Sequence, residues 1–461
     1  VKAIKLPHTL VLLFSLLLVV AMLTWLLPPG EFATQLVGKR QVVVPGTYHA
    51  VAANRQGLGD VLMAFIHGFE KAAEIIGFVL IVGGAFGIFA ASGVLDLGIR
   101  RLVKAAQSSP RLQALLIPLF MFLFSLGGSV FGMSEEVIPF VLIFVPLALF
   151  LGYDSIVGVA IPFVGAHVGF AAAFINPFTL GVAQNISQLP HMSGLGYRLL
   201  CWFLLTSLAT WFVMRYARTI RQMPELSPMY AQDEQKRQSS VGQEHAAGEL
   251  TRRHWVGLLV LVAGFITLVV GVLRWEWYIA EIAALFLAMG IGVGLTSHLS
   301  LDGMVAGFLH GARDLLTTAL VIALAKGLVI LAEDGRIIHT ILYHLAATIE
   351  QVHPIISGQL MFLVHTVLNF FVPSGSGQAA LTMPIMAPLS DLVGVSRQTA
   401  VLAFQFGDGF SNMIIPTSGV CMGALALGEV PWERWVAWVW RLQLLFLLAG
   451  LLLLIPAYYL W

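Results

Sequence analysis

The sequence is a succession of apolar runs, and the lengths of those runs constrain the fold more than any other feature. A helix that crosses a bilayer needs about 20 mostly apolar residues. On that measure spans are predicted at 8–28, 74–93, 155–175, 195–216, 255–274, 278–296, 315–333, 397–415 and 434–460. Only 11% of the 461 residues are charged, against about 25% in a soluble domain. A chain this apolar cannot cover a water-facing surface, so the bilayer is its expected solvent and an all-α polytopic membrane protein its expected fold class. The formal charge of +1 offers no one-signed field to nucleic acid. Cys201 and Cys421 lie in apolar runs and read as buried thiols rather than a disulfide or a zinc site. The first run, Leu10 to Leu27, follows Lys2 and Lys5 as a signal peptide would. It is long for one, and Pro28-Pro29-Gly30-Glu31 is not a small-residue cleavage site, so a retained signal-anchor helix is expected.

Two further apolar stretches, 112–151 and 355–393, are about twice the length of one span. The first is interrupted by Gly127-Gly128-Ser129 and Gly132-Met133-Ser134-Glu135-Glu136, the second by Pro373-Ser374-Gly375-Ser376-Gly377-Gln378. Each could be two full spans joined at the water surface. The alternative is a re-entrant helical hairpin whose tip stops at mid-bilayer. Short arms and tips without basic residues favour the hairpin, since irregular backbone is tolerated at membrane depth where it is buried in protein or lines a polar cavity.

Basic residues near span ends set orientation. With the N-terminus inside, the segment of Arg100, Arg101, Lys104 and Arg111 is cytoplasmic. So is the one running from Arg215, Arg218 and Arg221 through Lys236, Arg237, Arg252 and Arg253. The expected location is the inner (cytoplasmic) membrane of a bacterium. Residues 31–58 read as an outer β-turn excursion, and 219–254 as a polar cytoplasmic linker dividing a first repeat, 1–218, from a second, 255–461.

The halves echo one another. Asp60 with His67-Gly68 precedes one span, and Asp302 with His310-Gly311 precedes another; Gly84 and Gly327 each lie seventeen residues past the histidine. Gly132 and Gly377 stand seven residues before Pro139 and Pro384. After each hairpin a helix breaks, within 155–185 at Asn176-Pro177-Phe178-Thr179 and within 397–427 at Asn412 to Ser418. Counting spans makes the repeats inverted in the membrane, a pattern that points to a midplane site and alternating access. A carrier is therefore expected over a channel, and no nucleotide loop or nucleophile–base pair suggests an enzyme.

The run Val372-Pro373-Ser374-Gly375-Ser376-Gly377-Gln378-Ala379-Ala380-Leu381-Thr382-Met383-Pro384 resembles the signature of the YfcC family, among the C4-dicarboxylate carrier relatives of the ion-transporter superfamily. Gln405-Phe406-Gly407-Asp408-Gly409-Phe410-Ser411-Asn412, Phe131 to Glu136 and Asn176-Pro177-Phe178 resemble it too, and the similarity runs from the first span to the last. The resemblance implies a homodimer with a fixed scaffold and a transport part that moves as an elevator. It leaves the cargo open between basic amino acids, exchanged by antiport, and dicarboxylates.

Ionisable groups inside a membrane mark ion or substrate paths. The candidates are Glu135 and Glu136 at the first tip, Asp408 before the second break, and Lys326 in mid-span. Asp408 and Lys326 could instead form a locking ion pair, and one glutamate could cap the outgoing arm of its hairpin. Substrate-binding candidates are Ser134, Glu135, Glu136, Asn176, Asp408, Asn412, Thr417 and the segment Ser374, Gly375, Ser376, Gly377 and Gln378, whose free amides suit a carboxylate. Gly132, Asn176, Thr179, Asp408, Asn412 and Ser418 are candidates for a coupling ion, sodium or a proton, with no other metal or cofactor expected. His167 could move protons or be an interior hydrogen-bonded residue; His67 and His310 read as interfacial. Three acids against one buried base favour an amino acid or similar zwitterion over a dianion.

Overall fold

A computed structural model describes residues 9–37, 40–94, 110–244, 252–275, 277, 279–349 and 352–461. Lys2 and Lys5, which flank the first run, and Arg100, Arg101 and Lys104, used above for orientation, lie outside the described residues. The described chain is predominantly helical, with 19 α-helices. The first half runs α1 (Thr9–Leu26), four short strands, α2 (Leu58–Lys71), α3 (Ala73–Ser92), α4 (Pro110–Phe131), α5 (Ile138–Phe150), α6 (Ser155–Ala171), α7 (Leu180–Ile186) and α8 (Leu195–Gln222). The strands pair antiparallel, β1 (Gly30–Glu31) with β4 (His49–Ala50) and β2 (Thr34–Val37) with β3 (Arg40–Val43). They are the one departure from an all-helical chain, on the segment expected to leave the bilayer.

After α9 (Tyr230–Glu244) come α10 (Arg252–Trp275), α11 (Ile279–Thr296), α12 (Leu301–Asp314), α13 (Leu316–Asp334), α14 (Ile338–Ile349), α15 (Pro354–Phe371) and α16 (Gly375–Leu392). The chain ends with α17 (Arg397–Ser411), α18 (Gly419–Leu427) and α19 (Trp432–Leu460). Five of the described helices, α3, α8, α11, α15 and α19, are long and apolar enough to cross a membrane by length and composition. Leu444, Leu448 and Leu452 line one exposed face of α19 at i, i+4 spacing, the surface a helix offers to lipid.

Two helices are enclosed by the others. All of α6 is buried, as is α17 from Gln398 on. Both α4 and α5 lie against α6, both α15 and α16 lie against α17, and α6 and α17 touch each other. Backbones approach closely where the contact residue is glycine: Gly128 faces the Ala166 carbonyl, Gly169 that of Ser125, and Gly407 that of Phe362. Close backbone approach of this kind is how apolar helices associate without a water-driven term.

The remaining contacts recur between the halves. Helix α1 packs on α13 and α11 on α3; α2 packs on α13 and α12 on α3; α7 packs on α16 and α18 on α5. Gly68 of α2 abuts Ala323 and Gly327, and Gly311 of α12 abuts Gly83 and Gly87. The spacing argument had matched Gly84 with Gly327. In the packing the counterpart of Gly327, which meets Gly68, is Gly87, which meets Gly311, and Gly84 accommodates the Phe308 ring. Helices present neighbours at three- and four-residue steps, so a matched count along the chain need not select the contact face.

The polar segment 219–254 differs from a plain linker. Helix α8 continues to Gln222, and α9 follows, docked on the loops that precede α6 and follow α18. Asp154 caps α6 through the Val157 amide at 2.9 Å, and Asp233 of α9 accepts from the Ser155 amide at 2.8 Å. Lys236 meets Glu429 at 3.1 Å.

Candidate functional site

The two interrupted stretches and the two helix breaks converge on one cavity of about 510 Å³. Its walls include Gly132, Ser134, Glu135 and Glu136 from the α4–α5 connection and Ser374, Gly375 and Ser376 from the start of α16. Thr179, Asn412, Thr417 and Ser418 come from the breaks, and Lys326 from α13. Residues more than two hundred positions apart thus share one polar space.

Local chemistry places each of them. Gly132 adopts φ 74°, a left-handed conformation suited to glycine. A Cβ there would stand 2.7 Å from the Asn176 side-chain oxygen. Asn176 shapes the first break: its Oδ1 accepts from the amides of Phe178 at 2.9 Å and Thr179 at 3.3 Å, an Asx-type turn. Its amide and that of Ile175 donate to Ser129 O, at 3.0 and 3.3 Å, stapling the break to the end of α4. Glu136 is buried and accepts from the Ser134 amide at 2.9 Å, so this glutamate serves its own turn while still bordering the cavity. At the second break Ser418 caps α18 through the Cys421 amide at 3.3 Å.

Asp408 lies behind Gly375. A Cβ on that glycine would stand 2.7 Å from Asp408 Oδ2 and would also strike the Thr179 methyl. Asp408 Oδ1 accepts from Asn412 Nδ2 at 3.1 Å, and the fully buried Oδ2 has no protein partner. Thr179 Oγ1, Asn176 Nδ2, Asn412 Oδ1 and Thr417 Oγ1 are likewise buried without a partner. Native proteins satisfy nearly all such atoms, so a group of them beside a cavity has room for water, an ion or a polar ligand. Four of the five are hard oxygens, one from a carboxylate, a donor set suited to sodium.

Two expected members of the carboxylate cradle point elsewhere. Gln378 is fully buried between α15 and α16 and donates to the His365 carbonyl at 2.7 Å. Gly377 borders a separate cavity of about 300 Å³ with Glu31, Arg336 and His339. The reason is helical: the segment is not an open loop but the first turn of α16, and each residue turns about 100° from the last. Among the described residues no ion pair joins Asp408 to Lys326; Lys326 borders the cavity, while Asp408 bonds to Asn412. His167 is buried with Nδ1 3.0 Å from the Phe163 carbonyl and does not border the cavity. His67 and His310 are exposed, beside Glu70 and Asp314.

Three residues join the surroundings of the site without having been singled out. Asn369 donates to the Asp408 carbonyl at 3.1 Å and to Ser411 Oγ at 2.8 Å, tying α15 to α17. It was findable, as an amide within the apolar run 367–372. His365 sits one turn earlier, fully buried, its Nε2 without a partner. Arg198, wholly buried, donates to Gln405 Oε1 at 2.7 Å. It lies near the start of the predicted span 195–216, and only the tertiary packing encloses it.

An apolar helical chain with a cavity among its helices, its wall carrying charged and hydroxyl side chains, fits one class, the multi-pass membrane transporters. The chain belongs to the DcuC family, described as the C4-dicarboxylate anaerobic carrier, whose model matches residues 6–459. It is 37% identical to the Escherichia coli (strain K12) protein named "Putative basic amino acid antiporter YfcC", over 93% of this chain and 92% of that one. An uncharacterized protein of Haemophilus influenzae is 28% identical over 98% of this chain and 97% of its own length. Among solved structures, the Alcanivorax borkumensis YdaH transporter aligns over 97% of this chain and 98% of its own, with 19% identity and a TM-score of 0.42. MtrF of Neisseria gonorrhoeae, described within a class of antimetabolite efflux pumps, aligns over 99% and 96%, with 18% identity and a TM-score of 0.41.

Proposed function

We propose that the protein is a secondary carrier that moves a small carboxylate-bearing metabolite across the bacterial inner membrane, preferentially an amino acid exchanged for another by antiport. The observation that carries this reading is the cluster of buried, unpartnered polar atoms around Asp408 and Gly375, beside a cavity bordered by both interrupted segments and both helix breaks. The first amides of α16 at Gly375 and Ser376 present the positive end of a helix to a substrate carboxylate. Glu135 and Glu136 face the same space as a lone lysine, Lys326, and suit an ammonium group. The name of the Escherichia coli relative agrees with such a cargo. The oxygens of Thr179, Asp408 and Asn412 suit a coupling sodium, and Asp408 suits a proton.

In this reading α4–α5 and α15–α16 are re-entrant hairpins of two inverted repeats. With the broken helices α6–α7 and α17–α18 they form the moving part, which slides against α1–α3 and α11–α13 in a homodimer. Reciprocal packing of the two halves supports the repeats. A dicarboxylate is the second reading, favoured by the family description and by Lys326 at the cavity wall. Counterflow in proteoliposomes with labelled arginine, ornithine and succinate separates the two. Exchange of an amino acid supports the first reading, and exchange of succinate alone overturns it. Cysteines placed at Ser134 and Ser376 should change their labelling side with substrate or ion; tips reachable from one face under every condition would rule out the elevator.

A further inference from the structure

A second and larger cavity, about 910 Å³, opens on the face that carries the strands. Val42 and Val43 of β3 form part of its wall, with Gln184 and Asn185 of α7 and Pro388 of α16. It is separate from the central cavity, yet two residues border both: Phe131 and Phe178. Phe131 is the last residue of α4, immediately before the left-handed Gly132. Phe178 lies in the first helix break with 47% of its surface exposed, a large apolar side chain without a packed site.

The segments that bear the two rings are held together. Two backbone bonds from Ile175 and Asn176 to the Ser129 carbonyl fasten the break to α4, and Asn176 Oδ1 fixes the Phe178 amide. Gly127 leaves room for the Phe131 ring, whose Cζ lies 3.2 Å from where a Cβ would stand. The frame is therefore fixed by hydrogen bonds and Phe131 leans on the core, while the half-exposed Phe178 ring has space to turn about its own side-chain bonds.

We propose that Phe131 and Phe178 form an aromatic door between the outer vestibule and the central cavity, and that a slender solute bearing an ammonium group passes between the rings. Aromatic faces attract cations without holding them as a carboxylate would. The one guanidinium in the vestibule wall, Arg397, is occupied by Asp391 at 2.7 and 2.9 Å and by the Ser187 carbonyl at 3.0 Å. Neutral amides of Gln184 and Asn185 thus lead up to the door. The proposal rests on the reading of the central cavity as the transport site, and assigns that site an entrance and a size filter.

The test is cysteine labelling in intact vesicles, with a membrane-impermeant trimethylammonium-ethyl methanethiosulfonate. Native Cys201 and Cys421 are fully buried and give a low background. Asn185→Cys marks the vestibule side, and Ser134→Cys reports arrival in the central cavity. Reagent is added on whichever side labels Asn185→Cys. Phe131→Ala and Phe178→Ala should each speed labelling of Ser134→Cys by about tenfold, equivalent to removing about 1.4 kcal/mol from a barrier. Phe178→Trp should slow it, and the rate at Asn185→Cys should stay constant throughout. Phe178→Leu replaces the alanine variant should that one fail to fold. Rates at Ser134→Cys that ignore ring size, or that change in parallel with those at Asn185→Cys, overturn the door. Faster labelling without exchange of arginine, ornithine or succinate supports the door and counts against the proposed cargo.

Discussion

Asp154 and Asp408 are hidden to the same degree, 1% and 0% exposed, the first capping an enclosed helix and the second inside one, yet their oxygens are treated differently. Asp154 accepts from the Val157 amide at 2.9 Å, from Tyr216 at 2.5 Å and from Ser227 at 2.7 Å. Its neighbour Asp233 takes the amide and the hydroxyl of Ser155. Asp408 has one donor, Asn412, and a bare second oxygen. A buried charge is tolerable when its lone pairs are filled and costly when they are not. The filled site is a joint, fastening α9 to the start of α6. The other has one side-chain oxygen that no protein group fills.

The contrast can be broken in four ways. The largest effect belongs to Asp408→Asn. Losing the charge from a buried charge–ligand pair costs about 3–5 kcal/mol, so counterflow should drop at least about a hundredfold. The melting temperature in detergent should hold or rise, because asparagine keeps the size and removes the buried charge. Undiminished exchange would make Asp408 structural, like Asp154.

Asp154→Ala should do the reverse. It strands the donors of Tyr216, Ser227 and Val157 and removes a helix cap, a loss of about 2–3 kcal/mol. The expected readout is a clear fall in melting temperature with near-normal exchange per folded molecule. Gly132→Ala should cost less, about 1–2 kcal/mol, from a left-handed residue given a Cβ. It also presses on Asn176, so weaker substrate binding should accompany the loss of stability.

The smallest effect is a dependence on pH. Burial pushes the Asp154 carboxyl above its ordinary 3.8, against the opposing hydrogen bonds of Tyr216, Ser227 and Val157. The folded chain then keeps this proton to a higher pH than the unfolded chain does. Its contribution to stability is fullest below 3.8, declines as pH rises through the raised folded value, and is flat beyond. Thermal melts of Asp154→Asn should lack this slope; an unchanged slope would assign it to another group.

Much of the helical framework was legible because apolar run length and small polar interruptions are local signals. The stretch 355–393 divides at Pro373-Ser374, and the helices around 155–185 stop at Ala171 and resume at Leu180. Direction was not legible. Gln378 lies four residues from Ser374 yet turns into the interior, and Arg198, at the start of a predicted span, is enclosed by Gln405, Gln398 and Trp461. Segment 219–254 read as a linker because its polarity was visible, while the partners that hold α9 lie at the start of α6 and the end of α18.

By itself the sequence determined a chain that lipid must solvate, where its helices fall, and which few polar residues interrupt them. Each of these follows from composition or spacing over some twenty residues. Only the tertiary structure decided that Ser134, Thr179, Gly375 and Asn412 share one cavity, and that Asp408 lies behind a glycine with one oxygen that no protein group fills. Those relations depend on how separate helices turn and pack against one another, and no local pattern encodes the face a helix presents to a partner two hundred residues away.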